Sequence, residues 1–298
     1  MEDQSHRVLS IQSHVVSGYV GNKSACFPLQ LLGFEVDFIN SVQLCNHTGY
    51  KHIKGQILKS EELEELYNGL KTNGLLKYTH VLTGYVGNVT FLTKLVEIVK
   101  DLKEKNPGLF YVCDPVLGDN GQLYVPKELL PVYRDTVIPI SDLITPNQYE
   151  AELLSGIAIK SKDDISKTTD YFHGKGVKIV VLSSVQLQSE EKLILFGSSI
   201  ASNPKTLVSM EIPKLPSSFT GGGDLFSALL LAWMTKTKGD LRASCEKTIN
   251  SMQCVLMRTL EYASGQGDPT SPASLELKLI QSKKDIEAPP NNLKCNLL

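Results

Sequence analysis

Residues 219–228 read Phe219-Thr220-Gly221-Gly222-Gly223-Asp224-Leu225-Phe226-Ser227-Ala228. They join three consecutive glycines to an acid and to an apolar run that continues to Met234 and predicts a buried helix. Glycines directly before a helix let the backbone approach a ligand closely, and the positive end of the helix dipole favours an anion there. The stretch therefore predicts a loop that cradles phosphate.

Asp224 falls in the first turn of this predicted helix, where a carboxylate has two uses. It can cap the helix, or it can take a proton from a hydroxyl group held beside the glycines. A glycine-rich turn that is capped by Asp224 and binds nothing is the plainer alternative, and this stretch alone does not separate the two.

The composition indicates a globular chain whose partners are small molecules. With 298 residues, of which 42% are hydrophobic, the chain can build one large α/β domain over residues 1–298, or less readily two small ones. A net charge of -2 with 21% charged residues offers no basic excess for nucleic acid and no polybasic cluster for a membrane surface.

The N-terminus and the cysteines both favour a cytoplasmic protein. The first residues are polar and acidic, unlike a signal peptide, and no apolar run approaches the ~20 residues of a membrane span. The cysteines lack Cys-x-x-Cys pairs and zinc-site spacing, so we expect reduced thiols. They are Cys26, Cys45, Cys113, Cys245, Cys254 and Cys295.

Predicted helices alternate with predicted strands along the chain, which favours a three-layer α/β fold with a mostly parallel sheet and helices on both faces. Strands are expected at residues 8–12, 34–40, 79–83, 109–113, 177–182 and 193–196, and a further strand ends near residue 144. We also expect a long helix at 241–263, a short one at 275–280, a polar hairpin loop at 186–191 and a loosely held tail from about residue 282.

Residues 41–50 form a polar segment behind the second predicted strand. The segment is rich in hydroxyl, amide and imidazole groups but too short for a helix with its own core. One interpretation is a hairpin or a small lid over a pocket. The other is an ordinary surface turn in which His47 is satisfied by its neighbours.

Two acids follow the strand at residues 109–113, Asp114 directly and Asp119 five positions later. Functional groups in open α/β sheets gather beyond the carboxyl ends of the strands. The pair therefore favours a site for a hydrated cation, with a single acid capping the next turn as the alternative.

Asn147 and Glu150 lie three positions apart, on one face of the first turn of a helix that Gly156 ends. This spacing suits an N-terminal capping arrangement. The shortness of the helix argues instead for polar groups that serve a ligand. Ser183 and Ser184 add a further polar strand end.

The polar strand ends and the glycine loop together resemble the ribokinase-like superfamily of small-molecule kinases and, within it, the pyridoxal kinase family. The resemblance covers nearly the whole chain, and its most specific parts are the N-terminal strand and residues 46–50. The similar stretches are Val8-Leu9-Ser10-Ile11-Gln12-Ser13-His14, Gly18-Tyr19-Val20-Gly21-Asn22, Asn46-His47-Thr48-Gly49-Tyr50, Leu82-Thr83-Gly84-Tyr85, Tyr111-Val112-Cys113-Asp114-Pro115-Val116-Leu117-Gly118-Asp119, Thr145-Pro146-Asn147-Gln148-Tyr149-Glu150-Ala151-Glu152-Leu153-Leu154-Ser155-Gly156 and Gly223-Asp224-Leu225-Phe226.

The resemblance implies ATP-dependent phosphorylation of the hydroxymethyl group of the B6 vitamers pyridoxal, pyridoxine and pyridoxamine, in vitamin B6 salvage. Pyridoxal would give pyridoxal 5'-phosphate and ADP. Asp224 matches the general base, and Gly221, Gly222 and Gly223 match the loop that stabilises charge on the transferring phosphoryl group. The resemblance also implies a homodimer.

The remaining site residues carry over in the same way. The resemblance implies magnesium, replaceable by another divalent ion such as zinc, at Asp114, Asp119 and Glu150, and potassium at Thr145 and Ser183 with Asp114. It implies nucleotide binding by Asn147, Glu150, Thr145, Ser183, Ser184, Gly221 and Gly223. It implies a vitamer site formed by Ser13, the Val42 backbone, Thr48, Tyr85 and Asp224, with His47 close by.

Three departures from the family pattern bear on these expectations. Gly222 stands where the family has threonine, so one hydroxyl donor to phosphate is lost, which predicts binding weaker by ~1.5 to 3 kcal/mol. The loop after Asp119 is short, and we expect a less covered pocket. Ser183 replaces an expected threonine and changes little.

Two alternatives to a pyridoxal kinase follow from the same residues. One is another kinase of this fold, such as a hydroxymethylpyrimidine kinase. The other is a non-catalytic homologue that binds vitamers without turnover, which the missing threonine makes worth testing.

Overall fold

The computed structural model describes residues 6–187 and 192–298. The strands are β1 (Arg7–Val15), β2 (Glu35–Leu44), β3 (Gly55–Ile57), β4 (His80–Thr83), β5 (Phe110–Cys113), β6 (Gly118–Asp119), β7 (Gln122–Leu123), β8 (Leu143–Ile144), β9 (Ile179–Val185), β10 (Leu193–Ser199), β11 (Thr206–Ile212) and β12 (Asn296–Leu297). The α-helices are α1 (Asn22–Leu31), α2 (Ser60–Thr72), α3 (Val89–Lys105), α4 (Leu129–Val132), α5 (Gln148–Ser155), α6 (Lys162–Gly174), α7 (Gly222–Lys236), α8 (Leu241–Ser264) and α9 (Lys283–Glu287). A π-helical turn (Tyr133–Val137) and two 3-10 turns (Ile138–Ile140 and Ile280–Ser282) complete the helical structure of the described residues.

Ten strands form one sheet in the order β12-β11-β10-β9-β8-β5-β4-β1-β2-β3. The central strands from β9 to β2 pair in parallel. Antiparallel strands extend the sheet at both edges, with β3 on one side and β10 to β12 on the other. The predicted mostly parallel sheet is therefore confirmed.

Helices cover both faces of the sheet because neighbouring residues of each central strand point to opposite sides. Leu9, Val81, Tyr111 and Val180 join the core shared with α2, α3, α5 and α6, whereas Val8, Leu82, Val112 and Val181 join the core shared with α1, α7, α8 and α9. Runs of apolar residues without alternation are what such doubly covered strands require. The predicted three-layer fold is confirmed.

The central helix α7 is buried along its whole apolar stretch, from Leu225 to Met234. It packs between α1 and α8 and against the sheet. A helix that is apolar all round fits such a position, because no side of it faces water. The burial fixes the N-terminal end of α7, and with it the glycine loop.

The second strand is longer than the sequence predicts. β2 runs to Leu44 because Gln43 and Leu44 pair with His14 and Val15 of β1 beyond a bulge, and β3 pairs on the other side. The two ladders satisfy the backbone of these polar residues, which local pattern could not reveal. A hairpin formed by β2 and β3 is therefore confirmed for this segment.

The C-terminal predictions are wrong in two respects. Residues 275–279 are not helical, and the last helix, α9, begins at Lys283. The chain after residue 282 is also held in place, since Ile286 is fully buried, Arg258 pairs with Asp285 at 2.8 Å, and β12 joins β11. A few apolar residues are enough to hold this segment, because residues such as Ile286 pack on the core formed by α1, α7 and α8.

The last two features concern the predicted loop at 186–191 and the length of the apolar helices. Of the predicted hairpin loop at 186–191, residues 188–191 lie outside the described residues. No helix within the described ranges is both long and apolar enough to cross a lipid bilayer.

Candidate active site

The carboxyl ends of the central strands meet at one edge of the sheet. The Asp114 N–H donates to the carbonyl of Thr83 at 2.9 Å, and the Thr145 N–H donates to the carbonyl of Cys113 at 3.2 Å. These bonds continue the ladders past the ends of β4, β5 and β8. The predicted polar strand ends are thus neighbours, as expected for parallel strands.

The glycine loop packs against the turn that follows β1. Gly221 has φ 85°, and a Cβ there would lie 2.0 Å from the carbonyl oxygen of Tyr19, so only glycine fits. The Ser24 hydroxyl donates to the Gly221 carbonyl at 3.0 Å. By contrast, a Cβ on Gly222 would meet no heavy atom within 4 Å, so the missing threonine side chain has room.

Asp224 does not cap helix α7, so that alternative is wrong. The N-cap is Gly221, and Asp224 Oδ2 accepts a 2.7 Å hydrogen bond from the N–H of Gly21. A Cβ on Gly21 would lie 2.4 Å from Ser13 Oγ, so Ser13, Gly21 and Asp224 occupy one corner of the site. Burial raises the pKa of the Asp224 carboxyl, and the Gly21 N–H acts against that rise.

Asp114 is one of two buried acids of the site, with Glu150. Burial, together with repulsion from Glu150 and Asp224, raises the pKa of Asp114 well above its ordinary value. A Cβ on Gly223 would lie 3.5 Å from Asp114 Oδ2, which places this acid beside the glycine loop. Asp114, Glu150 and Asp224 repel one another when ionised, so a bound cation would stabilise their charged forms.

Glu150 and Asn147 form a capping box, which confirms the capping interpretation. Asn147 Oδ1 accepts from the Glu150 N–H at 2.9 Å, and Glu150 Oε2 accepts from the Asn147 N–H at 2.9 Å. Glu150 Oε1 also accepts from the N–H of Leu117 at 2.9 Å, which ties α5 to the loop behind Asp114. Burial raises the pKa of Glu150 to about 8 despite these backbone donors.

Asp119 is the outermost of the predicted acids. It is exposed and binds its neighbour Asn120, although its charge still contributes to the raised pKa of Glu150. Within the described residues no group of three or more His, Cys, Asp or Glu side chains stands ready to hold a metal ion. The predicted magnesium ligands Asp114, Asp119 and Glu150 therefore do not form a complete metal site from protein side chains alone.

The Thr145 hydroxyl is a buried polar group that lies beside Asp114. Thr145 is 3% exposed and no well-formed hydrogen bond reaches its Oγ1, but the hydroxyl is close enough to Asp114 to lower the pKa of that carboxyl. A buried hydroxyl normally makes a well-formed hydrogen bond, so one that does not, beside an acid at the end of a strand, fits a hard cation that prefers oxygen ligands.

A cavity of about 260 Å³ opens on the other side of the glycine loop. Ser183, Ser184, Gly222 and Gly223 are among its lining residues, which brings together four of the residues predicted from sequence. Its apolar lining includes Leu215, Phe219, Met252 and Leu256, which are called the apolar wall. No local pattern indicates the apolar wall, because its members come from a loop and from α8.

The predicted vitamer residues lie on the β1 and β2 side of Asp224. Val42 and His47 are buried, Tyr85 is half-buried and Thr48 is exposed. The Ser41 hydroxyl donates to the Tyr85 carbonyl at 2.8 Å, which joins the end of β2 to the turn after β4. His47 contacts Glu276, 3.3 Å away, so the interpretation that its neighbours alone satisfy it is wrong.

Comparison with known proteins identifies the family. A sequence model described as phosphomethylpyrimidine kinase matches residues 75–269. The chain is 51% identical to the pyridoxal kinase of Homo sapiens over 97% of both chains. The chain belongs to the pyridoxal kinase family. A relative from Arabidopsis thaliana, also a pyridoxal kinase, is 50% identical over 97% of this chain and 93% of its own.

A solved pyridoxal kinase structure has the same fold. The structure from Leishmania donovani, in complex with ADP and pyridoxamine, matches with a TM-score of 0.91 at 33% identity and covers 99% of this chain and 100% of that one. Against the pyridoxal kinase pattern, the departure at Gly222 lies on the wall of the cavity. The short loop after Asp119 is the turn between β6 and β7.

Proposed function

We propose that this chain transfers the γ-phosphoryl group of ATP to the hydroxymethyl oxygen of pyridoxal, pyridoxine and pyridoxamine, as part of vitamin B6 salvage. The observation that carries the proposal is the Gly21–Asp224 hydrogen bond, which aims a carboxylate at the junction of the vitamer side and the glycine loop. Relatives that are named pyridoxal kinases, and a related structure with ADP and pyridoxamine, support the choice of substrates.

Asp224 acts as the general base in this proposal. Its carboxylate takes the proton of the hydroxymethyl group while the oxygen forms a bond to the γ-phosphorus, and the bond to the β-phosphate oxygen breaks to release ADP. The raised pKa suits the role, because a base gains driving force as its pKa approaches the working pH. The N–H groups of Gly221, Gly222 and Gly223 stabilise charge on the migrating group.

The cavity behind the glycine loop is the proposed ATP site. Asn147 and Ser184 contact the phosphates in this proposal, with Ser183 and Glu150 beside them. The apolar wall would hold the adenine ring, because the flat apolar base matches the side chains of Phe219, Leu215 and Met252. The glycine loop separates this site from the vitamer side and belongs to both.

The acids of the site would hold magnesium, or a substitute such as zinc. Asp114, Glu150 and the outlying Asp119 would bind it directly or through water, since Mg²⁺ keeps several waters and binds substrate phosphates. The bound ion would neutralise phosphate charge during the transfer. The raised pKa of Asp114 supports a cation here, because an ion would relieve its repulsion from Glu150 and Asp224.

Potassium is proposed at Thr145, with Asp114 and Ser183. The Thr145 hydroxyl is the supporting observation, because it is buried beside Asp114 without a well-formed hydrogen bond, and a cation would bind both oxygens. We further propose a single domain over residues 1–298 that works as a homodimer in the cytoplasm. The free cysteines suit a reducing compartment, and light scattering after gel filtration would test the dimer.

The decisive experiment combines purified protein, Mg-ATP, potassium and each B6 vitamer, and follows the 5'-phosphate and ADP by chromatography. We expect equal amounts of both products, and none from Asp224→Ala. Faster turnover of a hydroxymethylpyrimidine than of any vitamer would support the alternative kinase instead, which the matching phosphomethylpyrimidine kinase model makes worth including. Vitamer binding without ADP release would support a non-catalytic homologue.

A further inference from the structure

Glu276 is a half-buried residue, with a largely covered side chain, outside the residues that the sequence singled out. It lies in the irregular segment between α8 and α9, and its side chain is 12% exposed. Oε2 accepts from the Tyr19 N–H at 3.0 Å, whereas Oε1 accepts from the Tyr50 hydroxyl at 3.0 Å and lies 3.3 Å from His47 Nε2. One side chain therefore joins three segments that are far apart in sequence.

The hydrogen bonds of His47 define its tautomer. The Gly49 N–H donates to His47 Nδ1 at 3.1 Å, so Nδ1 is an acceptor and the ring proton of the neutral imidazole lies on Nε2. Nε2, which then carries the proton, lies 3.3 Å from Glu276 Oε1. Both ring nitrogens are occupied within the protein, so His47 supports the turn at 47–50 and has no free nitrogen for the vitamer.

The segments that Glu276 joins lead directly to the catalytic corner. The carbonyl of Tyr19 is the group that excludes a Cβ from Gly221, at 2.0 Å, and a Cβ on Gly49 would lie 3.7 Å from Thr220 Oγ1. Gly18, with φ 92°, leaves room for the carboxylate, since a Cβ there would lie 2.2 Å from Glu276 Oε1. The backbone is thus shaped around this acid.

We propose that Glu276 is a positioning residue for the vitamer side of the active site, which holds the turns at 18–21 and 47–50 in place around the hydroxymethyl group. The proposal rests on the proposed function for its substrate. The polar partners of Glu276, Tyr19, His47 and Tyr50, do not line the nucleotide cavity, so we expect its effect to fall mainly on the vitamer.

The role requires a carboxylate, because all three partners of Glu276 donate. An ionised carboxylate has only acceptor oxygens, whereas a glutamine amide presents two N–H donors. In Glu276→Gln at least one of the Tyr19, His47 and Tyr50 donors would face another donor. The partners also lower the pKa of Glu276 although burial opposes ionisation, so the residue is an anion at neutral pH.

The test compares Glu276→Gln with Glu246→Gln. Glu246 is a matched control because it also anchors the C-terminal segment, through the Cys295 N–H at 3.1 Å, but on the edge strand side. We expect Glu276→Gln to raise KM for pyridoxal about tenfold or more while KM for ATP changes less than twofold. Glu246→Gln should leave both constants unchanged. Equal increases in both constants, or no change in a folded Glu276→Gln, would overturn the proposal.

A second measurement does not depend on turnover. The ¹⁵N NMR shifts of His47 should indicate the Nε2–H tautomer in the parent protein, and amide exchange of residues 47–50 should be at least tenfold faster in Glu276→Gln. Slow exchange that is unchanged by the substitution would overturn the positioning role. Two results together would separate the proposals. If the parent protein phosphorylates no vitamer, the proposed function fails. If amide exchange at residues 47–50 is nevertheless faster in Glu276→Gln, the role of Glu276 in holding the turns stands.

Discussion

The N–H of Gly21 donates a 2.7 Å hydrogen bond to Asp224 Oδ2, although the two residues are 203 positions apart. The bond joins the turn between β1 and α1 to the first turn of α7. The donor is a backbone N–H, which cannot rotate away as a side chain can. Within the described residues Oδ1 receives no hydrogen bond, so one carboxylate oxygen is oriented and the other is available to a substrate. This division of roles is what a fixed general base requires.

Replacing Asp224 by asparagine should abolish proton transfer while it preserves the structure. The amide oxygen can still accept from Gly21, but an amide does not take up a proton at neutral pH. We expect kcat for pyridoxal to fall by about 10² to 10⁴, the usual contribution of a general base, and the dissociation constant for ATP to stay within about twofold. Phosphorylated product measured by chromatography checks the first value and calorimetry the second. A kcat within tenfold of the parent would rule out the proposed base.

Restoring the family threonine at position 222 should improve nucleotide use. The site has room for the side chain, and its hydroxyl would add a hydrogen bond to charged phosphate, worth ~1.5 to 3 kcal/mol. We expect Gly222→Thr to lower KM for ATP or raise kcat about tenfold without loss of thermal stability. An unchanged kcat/KM for ATP would mean that the lost donor is already replaced.

The neighbouring glycine provides a steric control for this change. Gly221→Ala would place a Cβ 2.0 Å from the Tyr19 carbonyl at a φ of 85°, where a side chain is strained. We expect a loss of ~1 to 3 kcal/mol in the free energy of unfolding, measured in urea, together with loss of activity. If Gly221→Ala were as stable as Gly222→Thr, the tight packing of the loop on Tyr19 would be wrong.

Much of the site was predictable because parallel strands end at a common edge. Asp114 and Thr145 each follow a strand and Ser183 lies near the carboxyl end of β9, so their proximity follows from the fold alone. The glycines before α7 likewise located Asp224, since only a helix start would combine them with an apolar run. What local pattern left open was whether Asp224 or Asn147 caps its helix, and only the long-range bond to Gly21 decided the first case.

Glu276 and the apolar wall could not be predicted for a shared reason. Each owes its position to contacts between residues that are far apart in the chain, as with Glu276 and Tyr19, which are 257 positions apart. Nothing in the surrounding sequence marks such a residue, and the segment around Glu276 reads as an ordinary short helix. The held C-terminal tail was missed similarly, because isolated residues such as Ile286 gain their burial from surfaces built earlier in the chain.

The Thr145 hydroxyl offers a test that separates stability from activity. Thr145→Val keeps the shape of the side chain and removes a buried hydroxyl that has no well-formed hydrogen bond and lies beside Asp114, whose pKa it lowers. Without potassium we therefore expect the free energy of unfolding of the variant to stay within about 1 kcal/mol of the parent value. We also expect activation by potassium, measured against an inert cation, to weaken about tenfold or more in the same variant.

The stability and the potassium activation of Thr145→Val test two separate parts of the proposal. A large loss of stability in potassium-free buffer would mean that the hydroxyl has a partner in the folded protein. Unchanged potassium activation would remove Thr145 from the cation site. Ser183→Ala is the companion variant, since Ser183 belongs to the same proposed site but is half-buried rather than buried.

The stability of the fold should depend on pH through His80, which is remote from the proposed metal ligands. Burial, with a smaller contribution from the charge of His6, lowers the pKa of His80 from 6.5 to about 4. The unfolded chain therefore binds a proton that the native protein does not, between these two values. The contribution of neutral His80 to the free energy of unfolding is fully present above pH 6.5 and is lost as the pH falls toward 4. At pH 5 the loss from this residue amounts to about 2 kcal/mol.

The variant His80→Gln isolates this contribution, because glutamine does not titrate but can still hydrogen-bond to the hydroxyls of Thr79 and Thr235 that flank the ring. Its loss of aromatic contacts lowers stability at every pH, so the quantity to compare is the difference in unfolding free energy between pH 7 and pH 5. We expect that difference to be about 2 kcal/mol smaller in His80→Gln than in the parent, and unchanged in the exposed control His52→Gln. Equal pH dependence in all three proteins would mean that His80 titrates alike in the folded and unfolded chain, which its buried position between Phe34 and Phe110 makes physically costly.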